Sequence, residues 1–214
     1  MNKKLLLIGG GGHCKSVLDS LLSAKTFNEI GIVDVKGSVG KSVLEIPIIG
    51  CDDDLEKLYQ HGYTYAFVSL GSVGNPVIRI KIFNKLESIG FGIPNVIDPT
   101  ATVSKRASLT SGIYIGKNVV VNVGTSIGKG AILNTSSTIE HECSIGEFVH
   151  ISPGAVLCGE VQIGEHTHVG AKSVVKQQVK IGSRTLIGMG SVVLHDVAAN
   201  TVAYGNPCKE VSTR

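Results

Sequence analysis

The segment SIGKGAILNTSSTIEHECSIGEFVHI, residues 126–151, belongs to a longer run in which an aliphatic residue returns at every sixth position. The run is uninterrupted over residues 97–193 and contains seventeen such positions. A helix repeats every 3.6 residues and a strand every two, so neither element explains this spacing. A six-residue repeat is instead typical of a parallel β-helix. The aliphatic positions are Ile97, Val103, Leu109, Ile115, Val121, Ile127, Leu133, Ile139, Ile145, Ile151, Leu157, Ile163, Val169, Val175, Ile181, Ile187 and Val193.

Each six-residue unit predicts one short strand and one corner, and three units close a triangular coil of about 18 residues. Successive coils stack about 4.8 Å apart, so that their backbones pair as parallel strands and the inward aliphatic side chains form one continuous core. Glycine often follows the aliphatic residue, and a small or β-branched residue often lies four positions on, which suits tight corners. Seventeen units amount to between five and six coils.

The first part of the chain has a different pattern, in which apolar strands alternate with helices. Residues 3–8 predict a buried strand, residues 9–12 a glycine turn, residues 13–22 a helix and residues 30–33 a second strand. In such a Rossmann-like βαβ unit, the free N–H groups of the turn and the helix N-terminus favour an anion such as a phosphate. We therefore expect an α/β nucleotide-sugar-binding domain over residues 1–93 and a β-helix domain with a C-terminal closing segment over residues 94–214.

The ligand of the first domain stays open at this point. Gly9 and Gly11 match two glycines of the dinucleotide fingerprint, but Cys14 stands where the third is required, which argues against NAD. The turn either binds a nucleotide or nucleotide sugar, or is only a tight turn. Asp34, at the end of the second strand, is suited to accept hydrogen bonds from a ribose or sugar hydroxyl. Gly71 follows a third strand, at the edge where open α/β sheets bind ligands.

Composition argues against several classes of function. The net charge of +3 is too weak a bias to indicate nucleic acid or an acidic membrane surface. The apolar run at residues 5–8 is too short for a signal sequence or a membrane span. Five scattered cysteines without CxxC spacing suggest neither disulfides nor zinc. We therefore expect a cytoplasmic protein with no metal.

One segment of the repeat carries reactive side chains at corners that elsewhere hold Gly, Asn or Lys. A histidine such as His141 titrates near neutrality and can take a proton from an attacking amine or hydroxyl, and a neighbouring carboxylate can orient the ring. Whether Glu140 or Glu142 is that carboxylate stays open, and a plain surface corner is the alternative for His141. Cys143 lies in the small-residue slot, so packing is expected rather than a nucleophilic role. The remaining histidines of the repeat lack a comparable group of polar and ionisable neighbours and are expected at the surface: His166, His168 and His195.

Three stretches together resemble the hexapeptide-repeat sugar acyltransferases: residues 134–150, the glycine turn at residues 9–13, and the closing residues 202–209. These enzymes acetylate a 4-amino group on nucleotide-linked deoxysugars, and the sialic acid O-acetyltransferases are close relatives. The likeness spans essentially the whole chain. It implies a left-handed β-helix, a homotrimer, and acetyl-CoA bound between neighbouring β-helices.

The resemblance also implies roles for individual residues. His141 would be the general base and Glu142 its partner, in a direct transfer of the acetyl group from acetyl-CoA. The expected substrate-binding residues are Gly11, Gly12, His13, Asp34, Gly71 and Asn134. The expected cofactor-binding residues are His150, Gly159, Ala171 and Gly190.

The repeat adds a geometric expectation of its own. His141 and His150 are nine residues apart, half of a coil, and so lie on nearly opposite sides of one triangular section. Asn134 precedes Ser152 by 18 residues, which puts it one coil away from the corner that carries His150. We therefore predict that His141 and Glu142 of one subunit face Asn134 and His150 of another, so that a monomer would be inactive.

Three classes of function are consistent with these residues. The first, which we favour, is acetyl-CoA-dependent N-acetylation of a nucleotide-linked 4-amino-4,6-dideoxysugar for surface glycans. The second is O-acetylation of sialic acid or another sugar. The third is a β-helix without this activity, as a scaffold or a metal-binding protein, for which only His141 and His150 could supply ligands.

Overall fold

The computed structural model describes residues 3–214 and begins with an α/β domain whose elements alternate as expected. Its elements are β1 (Lys4–Ile8), α1 (Gly12–Ala24), β2 (Glu29–Val33), β3 (Ser42–Val43), β4 (Ile46–Gly50), α2 (Leu55–Gln60), β5 (Tyr65–Val68) and α3 (Val77–Ile89), with 3-10 turns at Lys36–Ser38 and Asp52–Asp54. The sheet order is β3-β4-β2-β1-β5. Strands β4, β2, β1 and β5 are parallel, and only β3 runs antiparallel to its neighbour β4.

The predicted strand, turn, helix and second strand are confirmed. Strand β1 lies between β2 and β5, and its residues Leu5 to Ile8 are almost fully buried because helix α1 covers one face of the sheet and helices α2 and α3 cover the other. Helix α1 begins at Gly12, one residue before the expected start, and ends where Lys25 takes a left-handed conformation with φ of 52°. The carboxyl ends of β1, β2 and β5 therefore meet at one edge of the sheet, as the pattern requires.

The rest of the chain is a triangular β-helix made of two-residue strands, β6 to β22, that form three parallel sheets. The covered sheet contains Val96–Ile97, Tyr114–Ile115, Ile132–Leu133, His150–Ile151, His168–Val169 and Leu186–Ile187. The valine sheet contains Thr102–Val103, Val120–Val121, Thr138–Ile139, Val156–Leu157, Val174–Val175 and Val192–Val193. The serine sheet contains Ser108–Leu109, Ser126–Ile127, Ser144–Ile145, Gln162–Ile163 and Lys180–Ile181.

Strand pairing follows the 18-residue coil. Val120 pairs with Thr102 on one side and Thr138 on the other, each 18 residues away. The second residue of each strand points inward, so the aliphatic column becomes a single core that is almost fully buried in the middle coils. Ile97, in the first coil, stays 37% exposed because no coil precedes it.

The corners explain why glycine and asparagine recur in the sequence. From residue 112 to residue 190, every sixth residue lies at a corner and adopts positive φ, and several of these residues are not glycine, for example Asn118, Glu142 and Lys172 with φ between 55° and 59°. Glycine and asparagine enter this left-handed region at the lowest cost. Gly146, which follows an inward isoleucine, serves a different purpose. A Cβ atom there would stand 2.6 Å from the Glu165 nitrogen of the next coil.

The α/β domain packs on the outer face of the covered sheet. Outward side chains of its first coils, including Tyr114 and Ile132, form one buried cluster with Val17 and Leu18 of helix α1. The contact also includes a buried polar network, in which Ser20 Oγ donates to Asp98 Oδ2 over 2.6 Å. The two parts of the chain therefore share a continuous interface.

The chain ends in a hairpin that closes the β-helix. Strand β23 (Thr201–Gly205) continues the covered sheet beside Leu186–Ile187, and β24 (Cys208–Thr213) pairs with β23 antiparallel. Between residues 3 and 214, no helix combines the length and the apolar character needed to cross a membrane.

Candidate active site

His141 lies at the corner between the valine sheet and the serine sheet, with its side chain half exposed. Its Nδ1 atom is 3.4 Å from Glu142 Oε2, at the outer limit of a hydrogen bond. The other side of the ring lies against Gly159, one coil further on, where a Cβ atom would stand 2.5 Å from Cε1 and Nε2. Glu142 thus orients Nδ1, and Nε2 is the nitrogen that remains for proton transfer.

The two candidate carboxylates have different partners. Glu140 Oε2 accepts a hydrogen bond from Asn122 Nδ2 over 3.0 Å, one coil earlier at the same corner. Glu142 contacts the ring of His141 instead. The geometry therefore favours Glu142 as the carboxylate that orients the base.

Cys143 is 1% exposed and its Sγ donates to the Cys158 carbonyl over 3.2 Å. Thr125 and Ser173, in the equivalent slot of other coils, make the same bond to a carbonyl 15 residues further on. Burial raises the pKa of the Cys143 thiol to about 11, so little thiolate exists near neutral pH. Cys143 therefore packs in the core slot and is a poor nucleophile.

His150 and Asn134 lie on the other side of the β-helix, next to the corner between the covered sheet and the valine sheet. His150 Nδ1 donates to the Ser72 carbonyl over 2.6 Å, and Asn134 Nδ2 lies 3.3 Å from Nε2. Burial lowers the pKa of His150 to about 4; the bond to Ser72 opposes that shift, and the charge of Arg79 adds to it. The ring is therefore neutral near pH 7, with Nε2 as an acceptor.

His168 repeats this arrangement one coil later, and the expectation that it lies at the surface is wrong. It is 7% exposed and packs edge-on against His150, with ring centroids 4.8 Å apart. Its Nε2 lies 3.2 Å from Ser152 Oγ. Both residues stand 18 positions after the pair Asn134 and His150, a spacing visible in the sequence. What the spacing does not show is that the loop after β5 covers this part of the sheet.

The other two histidines differ from His168. His195 is exposed, as expected, and His166 is partly buried, with its ring 6.1 Å from that of Phe148.

A cavity of about 400 Å³ opens beside His150 and His168. Its lining includes Asn134, His150, His168, Ala171 and Met189. Gly190 follows Met189 at the corner, in a left-handed conformation with φ of 70° and with open space where a Cβ would stand. Asn134, His150 and Ala171 therefore share one cavity, whereas Gly159 lies with His141 at the other corner. Within one chain, the expected base His141 therefore adjoins the expected cofactor contact Gly159 but not His150 or Ala171.

The expected nucleotide-binding residues lie at the carboxyl edge of the α/β sheet. Gly11 and Gly12 face open space at the start of helix α1. Asp34 Oδ2 lies against the glycine turn, where a Cβ at Gly10 would be 2.8 Å away, and Oδ1 accepts from the Val35 nitrogen. A second cavity, of about 440 Å³, is lined by Asp34 and by neighbouring residues that include Gly9, Lys36, Asp52 and Leu70.

His13 and Gly71 connect this edge to the β-helix. A Cβ at Gly71 would stand 3.3 Å from the Cβ of His13, and the His13 ring packs edge-on against Tyr114 at 5.1 Å. Burial lowers the pKa of His13 to about 3, with further contributions from Arg79 and His150. The loop that begins at Gly71 also supplies the Ser72 carbonyl that holds His150. The nucleotide edge and the histidine cavity are thus directly connected.

No group of three or more His, Cys, Asp or Glu side chains within residues 3–214 is arranged to hold a metal ion.

Comparison with known proteins gives two family matches. Residues 4–86 match the PglD N-terminal domain. Residues 142–177 and 160–195 match the bacterial transferase hexapeptide repeats.

Several solved structures resemble the chain over nearly its whole length. A histidine-to-asparagine mutant of perosamine N-acetyltransferase from Caulobacter crescentus, in complex with CoA and GDP-perosamine, is 32% identical, with a TM-score of 0.93 over 99% of this chain and 98% of that chain. The acetyltransferase domain of PglB from Neisseria gonorrhoeae FA1090, in complex with acetyl coenzyme A, is 35% identical, with a TM-score of 0.92 over 99% and 100%. WeeI from Acinetobacter baumannii AYE shares the fold at 22% identity, with a TM-score of 0.79 over 98% and 100%. The predicted fold, a Rossmann-like domain followed by a left-handed β-helix, is confirmed.

Proposed function

Because this chain belongs to the hexapeptide-repeat acetyltransferases with a PglD-type N-terminal domain, we propose that it transfers an acetyl group from acetyl-CoA to a nucleotide-linked amino sugar. The acceptor is the 4-amino group of a 4,6-dideoxysugar. The observation that carries the proposal is the end-to-end similarity to an N-acetyltransferase whose structure holds CoA and GDP-perosamine together. The glycine turn, Asp34 and the adjoining cavity support a nucleotide-linked acceptor.

In the proposed mechanism, the acceptor nitrogen attacks the thioester carbon directly. His141 Nε2 takes a proton from that nitrogen, while Glu142 stabilises the imidazolium that forms. The backbone N–H of Gly159 is suited to stabilise the oxyanion, because Gly159 adjoins the ring. The C–S bond then breaks and CoA leaves as its thiolate. The poor nucleophilicity of Cys143 supports transfer without an acyl-enzyme intermediate.

A homotrimer is part of the proposal, and the outer faces of the three sheets support it. The covered sheet carries the α/β domain, and the serine sheet is polar, with Ser108, Ser126, Ser144, Gln162 and Lys180 pointing outward. The valine sheet points Val120, Val156, Val174 and Val192 outward, and Val174 is 40% exposed. A partly exposed stripe of β-branched apolar side chains suits contact with further copies of the chain.

This interface would also bring the corner of His141 in one subunit next to the cavity of His150 in another. The valine sheet is bordered on one side by the corner of His141 and Gly159, and on the other by the cavity of Asn134 and His150. If three copies turn their valine sheets toward a common axis, the His141 corner of each copy meets the His150 cavity of the next. A shared active site with acetyl-CoA between subunits follows from that arrangement. We also infer a cytoplasmic location, with which the five free thiols are compatible.

The function is tested by measuring thiol release from acetyl-CoA with a panel of acceptors: UDP-, dTDP- and GDP-linked 4-amino-4,6-dideoxysugars, free sialic acid and CMP-sialic acid. We expect turnover with one amino sugar and its loss in His141→Ala. His195→Ala is the matched control, because His195 is exposed and lies three coils later at the same corner. Turnover only with sialic acid would indicate O-acetylation instead, and no turnover with any acceptor would contradict the proposal.

A further inference from the structure

A third cavity, of about 380 Å³, lies between helix α1 and the β-helix. Its lining includes Lys15, Ser16 and Asp19 of helix α1. On the opposite side it includes Lys117 and Thr135, which follow strands of the covered sheet at the corner with the valine sheet. We call this cavity the lysine cleft. The mechanism proposed above uses none of these five residues.

The lysine cleft has an excess of positive charge, because its lining contains two lysines and one aspartate. Lys117 Nζ forms an ion pair with Asp19 Oδ2. Lys15 is exposed, and no carboxylate of residues 3–214 lies within ion-pair distance of it. The hydroxyls of Ser16 and Thr135 can also donate hydrogen bonds. The cleft therefore has the charge and the donors that suit a phosphate group.

One end of the lysine cleft reaches the glycine turn. Helix α1 begins at Gly12, and residues 12, 15, 16 and 19 lie on one face of it because they are spaced three or four apart. Gly9, at the start of the turn, lines the 440 Å³ cavity together with Asp34. The turn thus lies between that cavity and the lysine cleft, and the free N–H groups at the start of α1 add to the attraction for an anion.

The other end of the lysine cleft adjoins the cavity of Asn134 and His150. The Thr135 nitrogen donates to Asn134 Oδ1 over 2.8 Å, and Asn134 Nδ2 lies 3.3 Å from His150 Nε2. The Ser136 nitrogen donates to the Lys117 carbonyl over 2.8 Å, so the corner of Lys117 stacks directly on the corner of Thr135. The lysine cleft therefore lies between the glycine turn and the residue expected to bind the sugar.

A UDP-, dTDP- or GDP-linked sugar has the same order of parts, with a diphosphate between the nucleoside and the sugar. We propose that Lys15 and Lys117 bind this diphosphate in the lysine cleft, while the nucleoside lies on the Asp34 side of the glycine turn and the sugar lies next to Asn134. Lys15 donates to one phosphate, and Lys117 donates to the other in place of its ion pair with Asp19. The inference rests on the proposed function and adds the position of the diphosphate to it.

The test is isothermal titration calorimetry of the full chain with GDP, UDP and dTDP and with the corresponding nucleosides. We expect at least one diphosphate to bind more tightly than its nucleoside. Lys15→Met should weaken binding of that diphosphate by about 5- to 20-fold, because a charge-assisted hydrogen bond is lost, and should not weaken binding of the nucleoside. Lys15→Arg should bind nearly as tightly as wild type. Lys25→Met, exposed at the far end of the same helix, removes the same charge and is the matched control.

Asp19→Asn gives a result that a merely structural role would not produce. The substitution frees Lys117 and removes the negative charge of the cleft, so the diphosphate should bind about 2- to 5-fold more tightly. If the ion pair only fastens α1 to the β-helix, the melting temperature would fall without any gain in affinity. Glu87→Gln, exposed on helix α3, removes the same charge and should leave the affinity unchanged.

Equal affinity of the diphosphate for wild type and Lys15→Met, with the folding of both checked by circular dichroism, would overturn the inference. An affinity of Asp19→Asn no higher than that of wild type would overturn it as well. Lys15→Gln replaces the methionine variant if that variant does not fold. Either negative result, together with turnover of an amino sugar, would leave the proposed function intact. Absence of diphosphate binding together with absence of amino-sugar turnover would contradict both.

Discussion

The imidazole of His141 lies against the backbone of Gly159, so closely that a Cβ atom at position 159 would stand 2.5 Å from Nε2. The two residues are 18 positions apart and stack on successive coils of one corner. The absence of a side chain at Gly159 is therefore what allows the ring its present position. Gly159 takes no positive φ, so the requirement is one of space and not of backbone conformation.

The first prediction concerns this contact. Gly159→Ala should push the His141 ring out of place and lower kcat by about 10- to 100-fold, because small misplacements of a catalytic group are costly. The melting temperature should change little, since His141 is half exposed and free to move. Steady-state kinetics and thermal unfolding measure both effects. Gly37→Ala is the control, as a Cβ there meets open space, and equal activity of the two variants would refute a role for the contact.

Glu142 and Glu140 should differ in their importance for activity. Glu142→Gln should reduce kcat by about 10- to 1,000-fold, because a neutral amide cannot stabilise the imidazolium of His141. Glu140→Gln should have a smaller effect, since Glu140 bonds to Asn122 and not to the ring. Comparing kcat of the two variants under saturating substrate decides the matter. A larger loss in Glu140→Gln would reverse the assignment.

A shared active site predicts complementation between inactive subunits. His141→Ala and His150→Ala proteins should each have little activity alone, whereas trimers formed by mixing them after unfolding and refolding should regain some. In a random equal mixture, about a quarter of the interfaces combine an intact His141 corner with an intact His150 cavity. Activity no higher than that of the separately refolded parents, in mixtures shown by mass spectrometry to contain hybrids, would rule out a shared site.

Cys143 should be replaceable without loss of activity. Cys143→Ser puts a hydroxyl into a slot that Thr125 and Ser173 fill elsewhere with the same bond to a carbonyl. We expect kcat within about threefold of wild type, because the residue packs and does not react. The measurement is acetyl transfer by purified Cys143→Ser beside Cys208→Ser as a control thiol. A loss of activity with an unchanged melting temperature would point to a covalent intermediate.

The Asp98 network should stabilise the interface between the domains in a pH-dependent way. Burial by itself would raise the pKa of Asp98, but hydrogen bonds from Ser20 and Thr100 outweigh it, so the pKa lies below its usual value of 3.8. A depressed folded-state pKa means that the stabilisation is present above about pH 4 and is lost as the pH falls through the folded-state value. Asp98→Asn should therefore lower the free energy of unfolding by about 1 to 3 kcal/mol at pH 7.

Urea unfolding at fixed protein concentration, at pH 7 and again near pH 3, measures this difference. The difference in the free energy of unfolding between wild type and Asp98→Asn should be smaller at the lower pH. The substitution Glu87→Gln, at an exposed position, should change the free energy of unfolding little at either pH. If this difference in the free energy of unfolding is the same at both pH values, the charge of Asp98 does not contribute to the stability of the interface.

Much of the candidate site follows from the 18-residue period alone. The period predicts that Gly159 adjoins His141, that Asn134 adjoins the corner of His150, and that His141 and His150 lie on opposite sides. The structure has all three relationships. The period does not determine which outer face is covered, and this is why the surface position that it predicts for His168 is wrong. The period also does not predict the contact of Arg79 with the β-helix, because Arg79 lies on a helix far away in the sequence and reaches the Gly130 carbonyl only after folding.

By itself, the sequence determined the β-helix, because one aliphatic residue in six must point inward and no other regular structure buries that spacing. It also determined the βαβ unit, through local strand, glycine and helix signals. Only the tertiary structure decided what lies over the covered sheet. There the contact between the two domains removes water from His13 of helix α1 and from His150 and His168 of the covered sheet, and a loop of the α/β domain supplies the Ser72 carbonyl. Burial and long-range hydrogen bonds depend on how two domains pack together, and a sequence repeat within one domain does not determine that packing.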